Sequence, residues 1–99
     1  MEYQLREYDM NPGELDVFVQ EWKAKIVPLR TKFGFSVVGA WFSHEENKFI
    51  WILGWAGPPG SFRKADQEYS QSPGRRAVDP NPARHIAHIR ETMMSSALE

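Results

Sequence analysis

The amino-acid sequence predicts a single α+β domain, residues 1–99, with elements in the order strand, helix, strand, strand, helix, strand. Three observations support this prediction. Two neighbouring segments, Phe35 to Phe42 and Phe49 to Ala56, are apolar on both sides when their side chains are sorted by the two-residue period of a strand. A long amphipathic segment precedes them and a shorter one follows. The length of 99 residues suits one domain with a modest core.

The first strand is predicted over Glu2 to Tyr8, where polar and apolar residues alternate weakly. The next helix is predicted to have Asn11 as its N-cap and Pro12 as its first residue. Its apolar residues recur at steps of three and four, as one face of a helix requires: Leu15, Phe18, Trp22, Ile26, Leu29 and Phe33. Pro28 predicts a kink or an end of the first helical segment, and Gly34 predicts the C-terminal stop.

The remaining elements follow from turn residues and periodicity. The two apolar strands are joined by a polar turn from Ser43 to Lys48, and Gly57 to Gly60 ends the second strand. A second helix is predicted to have Ser61 as its cap and to reach Gln71. A loop is predicted over the proline-rich stretch Ser72 to Arg84, and a fourth strand over His85 to Met94. This order is that of the ferredoxin-like fold, a four-stranded antiparallel sheet with both helices on one face.

The two faces of the sheet are predicted to have different roles. Because helices pack closely where side chains are small, the face with Ala40, Gly54 and Ala56 is assigned to the helices, together with Leu5, Val38, Ile50 and Ile52. The opposite face then carries Arg6, Tyr8, Trp41, Trp51 and Trp55. Three indoles are a costly surface to leave in water, so a second copy of the chain is expected to cover this face and to enclose a cavity between the two sheets.

Composition and charge exclude several classes of function. The net charge of −1 and the pI near 6.3 provide no basic field for nucleic acid or for an anionic membrane surface. The chain has no cysteine, which excludes disulfides and thiolate metal sites and agrees with a cytoplasmic location. No apolar run approaches the ~18 residues of a membrane span.

His88 is the candidate catalytic residue. If Ile89 faces the helices, His88 and Arg90 face the predicted cavity, where a histidine can act as a base or an acid near neutral pH. The alternative is a hydrogen-bonded histidine in the subunit interface. The His85-x-x-His88 spacing suits a metal only on a helix, and since a strand is predicted here, neither a metal site nor a cofactor is expected.

Arg6, Tyr8 and the three tryptophans are the candidate ligand-binding residues. Arg6 and Tyr8 offer donors that suit an anionic or carbonyl-bearing ligand, because a guanidinium is a planar fork of N–H groups. Pairing of Arg6 with Glu91 or Glu7 is the structural alternative. The indoles of the predicted cavity face suit stacking on a flat aromatic ligand, and their structural alternative is a filled dimer core: Trp41, Trp51 and Trp55.

Short motifs occur along roughly the first 60 residues: Tyr3-Gln4-Leu5-Arg6-Glu7-Tyr8, Pro12-Gly13-Glu14-Leu15, Trp22, Pro28-Leu29-Arg30 and Val38-Gly39-Ala40-Trp41. Together they resemble the NIPSNAP domain. This resemblance implies a dimeric α+β barrel, in which two ferredoxin-like subunits pack sheet to sheet. The superfamily of that domain also contains cofactor-free monooxygenases, haem-degrading enzymes and lactone isomerases. Trp51 departs from the family pattern, in which many relatives have a more polar residue such as histidine.

These observations favour a homodimer that binds a small aromatic or acyl ligand in the cavity between its two sheets. Two alternatives stay open. The first is a cofactor-independent monooxygenase or isomerase for a small aromatic or acyl substrate, with His88 as the proton acceptor. The second is a structural or protein-interaction module, in which the apolar face serves only association with other chains.

Overall fold

In a computed structural model that describes all 99 residues, the chain forms one sheet covered on one face by helices. The elements are β1 (Glu2–Met10), α1 (Leu15–Glu21), a π-helical segment (Trp22–Ile26), α2 (Val27–Phe33), β2 (Ser36–Ser43), β3 (Lys48–Trp55), α3 (Phe62–Gln71), α4 (Pro73–Arg76), a 3-10 turn (Pro82–His85) and β4 (Ile86–Met94). The strands are ordered β2-β3-β1-β4, and all neighbours are antiparallel. The predicted ferredoxin-like α+β fold is confirmed. None of its helices has both the length and the apolar character needed to cross a membrane.

The first helix begins later than predicted. Gly13 has a φ of +77°, outside the helical region, and the N–H of Glu14 donates to the carbonyl of Asn11, so residues 11–13 form a turn. Asn11 does not cap the helix, because its backbone N–H donates to the carbonyl of His85 and its side-chain amide donates to the carbonyl of Arg84. Asn11 is thus bound to the 3-10 turn that precedes β4, and Glu14 is the residue at the N-cap position of α1.

Pro28 lies in a continuous run of helical residues and does not end it. The five-residue π-helical segment comes directly before α2, and the N–H of Val27 donates to the carbonyl of Trp22. Proline has no N–H to donate, and the wide turn before it accommodates the missing bond. Gly34 ends α2 as predicted, with a φ of +115° and its N–H donated to the carbonyls of Arg30 and Thr31.

The core lies between the helices and the face of the sheet that carries Phe49, Trp51 and Leu53. These three side chains are at most 1 % exposed, and Trp22 packs its ring edgewise on Phe49 and Trp51 at centroid distances of 4.9 and 5.2 Å. The prediction that the face with Gly54 meets the helices is therefore wrong. The aromatic row removes more apolar area from water than the row of Ile50, Ile52 and Gly54, and its rings interlock with those of the helix.

The opposite side of the sheet has no helix over it. We call it the open face, and its apolar centre consists of Leu5, Val38, Trp41, Ile50 and Ile52. Trp41 was predicted on the other face, together with Trp51 and Trp55. A bulge between Val37 and Gly39 shifts the register of β2 by one residue, so Trp41 pairs with Ile50 instead of Phe49. Trp41 is 56 % exposed, and its ring crosses Gly39, where a Cβ would lie 2.5 Å from it.

The proline-rich stretch predicted as a loop contains two short helical turns, α4 and the 3-10 turn. Pro73 and Pro82 occupy their first positions, where a missing N–H has no cost. The side-chain oxygens of Ser72 and Asn81 accept hydrogen bonds from the N–H groups of Arg75 and Ala83. The hydroxyl of Ser72 also donates to the carbonyl of Tyr69 at 2.6 Å, which connects the segment to the end of α3.

Candidate functional site

A cavity of about 110 Å³ lies between the sheet and the helices. We call it the arginine–aromatic cavity. Its polar and aromatic wall comes from β1, β3, the π-helical segment, α2, α3 and α4, namely Arg6, Tyr8, Trp22, Arg30, Trp51, Tyr69, Ser70 and Arg75. Apolar side chains complete it: Phe18, Ile26, Pro82, Ala83, Ile86 and Ile89.

Several buried polar atoms of the cavity wall have no hydrogen-bond partner. They are the indole Nε1 of Trp22, the indole Nε1 of Trp51, the phenolic oxygen of Tyr69, and Nε and Nη1 of Arg30. A buried polar group without a partner costs about 1–3 kcal/mol, so native proteins rarely keep several together. Since indoles only donate and a phenol can donate, the cavity wall is supplied with free donors.

Arg6 is held by contacts within the sheet. Its Nε donates to the hydroxyl of Tyr8 at 2.8 Å, its Nη1 donates to Oε1 of Gln4 at 2.9 Å, and the same Nη1 lies 2.7 Å from a carboxylate oxygen of Glu91. Burial is the largest single influence on the pKa of Arg6 and lowers it, but Tyr8, Glu91 and Asp66 outweigh burial and the net pKa is raised. Arg6 is therefore a cation in a fixed position. Its contact with Glu91 is the ion pair that the sequence analysis considered as the alternative to ligand binding.

Arg30 lies beneath α3 and is only 3 % exposed. Its guanidinium carbon is 3.8 Å from the centroid of the Tyr69 ring and 4.8 Å from that of Phe35. Its Nη1 is 2.8 Å from Oδ1 of Asp66, an ionic contact whose atoms are not aligned as a hydrogen bond. Burial lowers the pKa of Arg30 and raises the pKa of Tyr69, so the phenol stays protonated and keeps its O–H.

Arg75 provides a third cation at the cavity and has no carboxylate within ion-pairing distance. Its Nη2 donates to Oδ1 of Asn81 at 2.8 Å. Three arginines line the cavity, while two carboxylates, those of Asp66 and Glu91, contact them. The cavity therefore has an excess of positive charge, and it suits an anion or the oxygen of a polarised carbonyl group.

The structure brings together some of the residues predicted to bind a ligand. Arg6, Tyr8 and Trp51 line one cavity, but they lie beneath the chain's own helices, so the prediction that they face a second sheet is wrong. Trp55 is on the same side of the sheet, yet it packs on Phe35 at 4.8 Å and donates its N–H to Ser61 at 2.9 Å. Trp41 lies on the open face.

His88 is not part of the cavity. It is exposed on β4 opposite Asp9, and the surface groove around it is lined by residues such as Glu7, Lys48 and Arg90. His85 is the buried histidine, with Nδ1 2.6 Å from Oε1 of Glu14. No group of three or more His, Asp or Glu side chains is arranged to hold a metal ion.

Five residues of the polar and aromatic wall were not among the predicted site residues: Trp22, Arg30, Tyr69, Ser70 and Arg75. A signal for Arg30 exists in the sequence, because it follows Trp22 and Ile26 at steps of four and so shares their buried face. Tyr69 shares one face of the second helix with Phe62 and Ala65, at steps of three and four in the sequence, and all three are buried. Nothing local to Arg75 predicts its position, which depends on the turn after α3.

The fold and this cavity define a ferredoxin-like α+β domain with a polar pocket between its sheet and its helices. The sequence profile of the NIPSNAP family matches residues 3–97, which is nearly the whole chain. The chain therefore belongs to the NIPSNAP family. No match is found among curated proteins.

Solved structures show the same fold at low sequence identity. An uncharacterized NIPSNAP domain protein from Burkholderia xenovorans has a TM-score of 0.82 at 14% identity, with 98% of this chain and 95% of that chain covered. A NIPSNAP family protein with unknown function from Agrobacterium tumefaciens has a TM-score of 0.81 at 16% identity, with coverages of 95% and 86%. A structure described as an antibiotic biosynthesis monooxygenase has a TM-score of 0.71 at 12% identity, with coverages of 98% and 99%.

Proposed function

We propose that this NIPSNAP-family chain binds one small ligand with acceptor oxygens, a short carboxylate or another acyl compound, in the arginine–aromatic cavity. The observation that carries the proposal is the set of buried donors without partners on Trp22, Trp51 and Tyr69 around one cavity. A ligand oxygen would gain hydrogen bonds from groups whose desolvation has already occurred on folding. Arg6 and Tyr8 would contribute to the same wall.

The size of the cavity limits the ligand. Its volume is about 110 Å³, whereas an engineered apolar cavity of about 150 Å³ holds one benzene molecule. Drug-sized ligands occupy about 300–1,000 Å³. The cavity therefore fits a few heavy atoms, and of the aromatic or acyl ligands considered from the sequence, it favours a short acyl group.

Titration of the protein with acetate, glycolate and benzoate, followed by tryptophan fluorescence and calorimetry, tests this proposal. We expect saturable binding of one small acid per chain. The substitution Arg75→Gln should weaken this binding about tenfold, because it removes the cation that has no carboxylate partner. The control Trp55→Phe should bind normally, since Trp55 lies outside the cavity. No saturable signal with any of the acids, or unchanged affinity in Arg75→Gln, contradicts the proposal.

We also propose that the open face joins two copies of the chain into a homodimer. Its apolar side chains are contiguous by strand register, because Leu5 pairs with Ile52 and Ile50 pairs with Trp41. Monomers rarely expose apolar patches larger than a few hundred Å². The sheet-to-sheet dimer that the NIPSNAP resemblance implies would cover this patch.

The alternative of a monooxygenase or isomerase would need a base other than His88 in the arginine–aromatic cavity, because His88 is exposed and lies outside it. The alternative of a pure interaction module corresponds to a dimer that forms while the cavity binds no ligand. The cytoplasmic location stays a prediction from the sequence.

A further inference from the structure

A second depression adjoins the arginine–aromatic cavity on the outside of the molecule. It has a volume of about 370 Å³ and is lined by Ser70, Arg75, Arg76, Val78 and Asn81. We call it the α4 groove. Ser70 and Arg75 also line the cavity, so the two spaces meet at these residues. A ligand in the cavity that extends past Arg75 would enter the α4 groove.

The α4 groove is strongly biased towards anions. It contains two arginines and no carboxylate, and neither Arg75 nor Arg76 has a carboxylate within ion-pairing distance. Oδ1 of Asn81 accepts a hydrogen bond from Nη2 of Arg75 at 2.8 Å and another from the N–H of Ala83 at 3.1 Å. The guanidinium of Arg75 is thereby oriented at the boundary between groove and cavity.

The geometry of the donors favours a phosphate group over a carboxylate. Two planar guanidinium forks offer more donors than one carboxylate can accept, even with one N–H of Arg75 donated to Asn81, whereas a phosphate monoester has three peripheral oxygens and a charge near −2. The volume of about 370 Å³ also exceeds what a carboxylate needs.

We propose that the α4 groove binds the phosphate group of a ligand whose acyl or carboxylate end occupies the arginine–aromatic cavity. This inference rests on the proposed function, and it assigns the ligand to the class of small phosphorylated acids. Arg75 contacts both ends of such a ligand, and Arg76 contacts the phosphate alone.

Three probes separate the two spaces: glycolate for the cavity, inorganic phosphate for the groove, and 2-phosphoglycolate for both. We expect 2-phosphoglycolate to bind at least about tenfold more tightly than glycolate, and its affinity to fall as salt concentration rises. Arg76→Gln should reduce the affinity for 2-phosphoglycolate to about that of glycolate and leave glycolate binding unchanged. Arg63→Gln, which removes an exposed arginine of α3 outside the groove, should change none of these affinities.

The outcomes distinguish this inference from the proposed function. If glycolate binds and 2-phosphoglycolate binds no more tightly, the α4 groove is not a phosphate site and the cavity proposal stands. Inorganic phosphate could instead bind in a way that depends on Arg76, while 2-phosphoglycolate binds no more tightly than glycolate. In that case the groove is a site separate from the cavity, and the inference is overturned. If none of the small acids binds, the proposed function is wrong, and the inference that rests on it is wrong as well.

Discussion

Tyr69 shows at the scale of one residue how the cavity is prepared for a ligand. Its side chain is 2 % exposed, its hydroxyl has no partner, and the guanidinium of Arg30 stacks on its ring. Burial raises the pKa of Tyr69 more strongly than the charges of Arg30 and Arg75 lower it. The phenol is therefore a neutral donor. Ring stacking keeps it in place, and no group of the chain accepts a hydrogen bond from it.

The substitution Tyr69→Phe should separate stability from binding. Because the hydroxyl has no partner, its removal should leave the free energy of unfolding unchanged or raise it by about 1 kcal/mol, while the phenyl ring keeps its contact with Arg30. The affinity for small acids should fall. Urea denaturation and ligand titration measure the two effects. The control is Tyr3→Phe, which removes a hydroxyl that lies outside the cavity and donates to Glu99 at 3.0 Å. A loss of more than about 1 kcal/mol in Tyr69→Phe would show that the hydroxyl has a partner in the folded protein.

At the scale of elements, a charged junction joins the end of α1 to the 3-10 turn that precedes β4. Both carboxylate oxygens of Glu21 accept hydrogen bonds from Arg84, at 2.8 and 2.7 Å, and His85 Nε2 lies 3.4 Å from Oε1 of Glu21. The hydrogen bonds from Arg84 are the largest influence on the pKa of Glu21 and lower it below its ordinary value of 4.5, while burial opposes them. This bidentate pair holds the 3-10 turn that forms one side of the cavity.

The junction predicts a pH dependence of stability. Because the pKa of Glu21 is lower in the folded chain, its contribution is complete above pH 4.5 and is lost as the pH falls through the folded-state value. Glu21→Gln should therefore lower the free energy of unfolding at pH 7 by about 1 kcal/mol or less, and should flatten its decline between about pH 5 and 3. Denaturant unfolding at several pH values measures this. Glu45→Gln, in the exposed β2–β3 turn, is the control, and an equal slope in both variants contradicts the assignment.

The elements themselves could be predicted from the sequence, and their tertiary relations could not. The apolar period of α1 and α2 and the left-handed stop at Gly34 are local signals, and both are confirmed. The bulge after Val37 has no local signal, yet it moves Trp41 to the open face. The choice of face for β3 failed for a related reason: both of its rows are apolar, and only the aromatic rings of the helices select Phe49 and Trp51.

At the scale of the whole molecule, the chain is a slab of two layers. It measures 39 × 33 × 19 Å, and the short dimension has room for one sheet and one layer of helices, which pack about 10 Å apart. No third layer from the same chain covers the open face. The rim of this face is charged, with Glu7 and Arg90 as register partners, and its centre around Ile52 is apolar. A polar rim around an apolar centre is the usual arrangement of a protein interface.

The dimer prediction belongs to this scale. A glutamate at position 41 would be buried without a partner within a sheet-to-sheet interface, so Trp41→Glu should convert a dimer into a monomer. The fold should stay intact, because Trp41 is already 56 % exposed in the single chain. The matched control is Val17→Glu, which changes an apolar residue of α1 that is 50 % exposed on the helical side. Sedimentation velocity should show a dimer for the unmodified chain and for Val17→Glu, and a monomer for Trp41→Glu. Ligand binding should survive in all three, because the cavity is built within one chain.

The contradicting outcome is a monomer of the unmodified chain at a concentration of about 100 μM. Because this is well above the micromolar dissociation constants of weak interfaces, it would show that the open face does not join two copies of the chain.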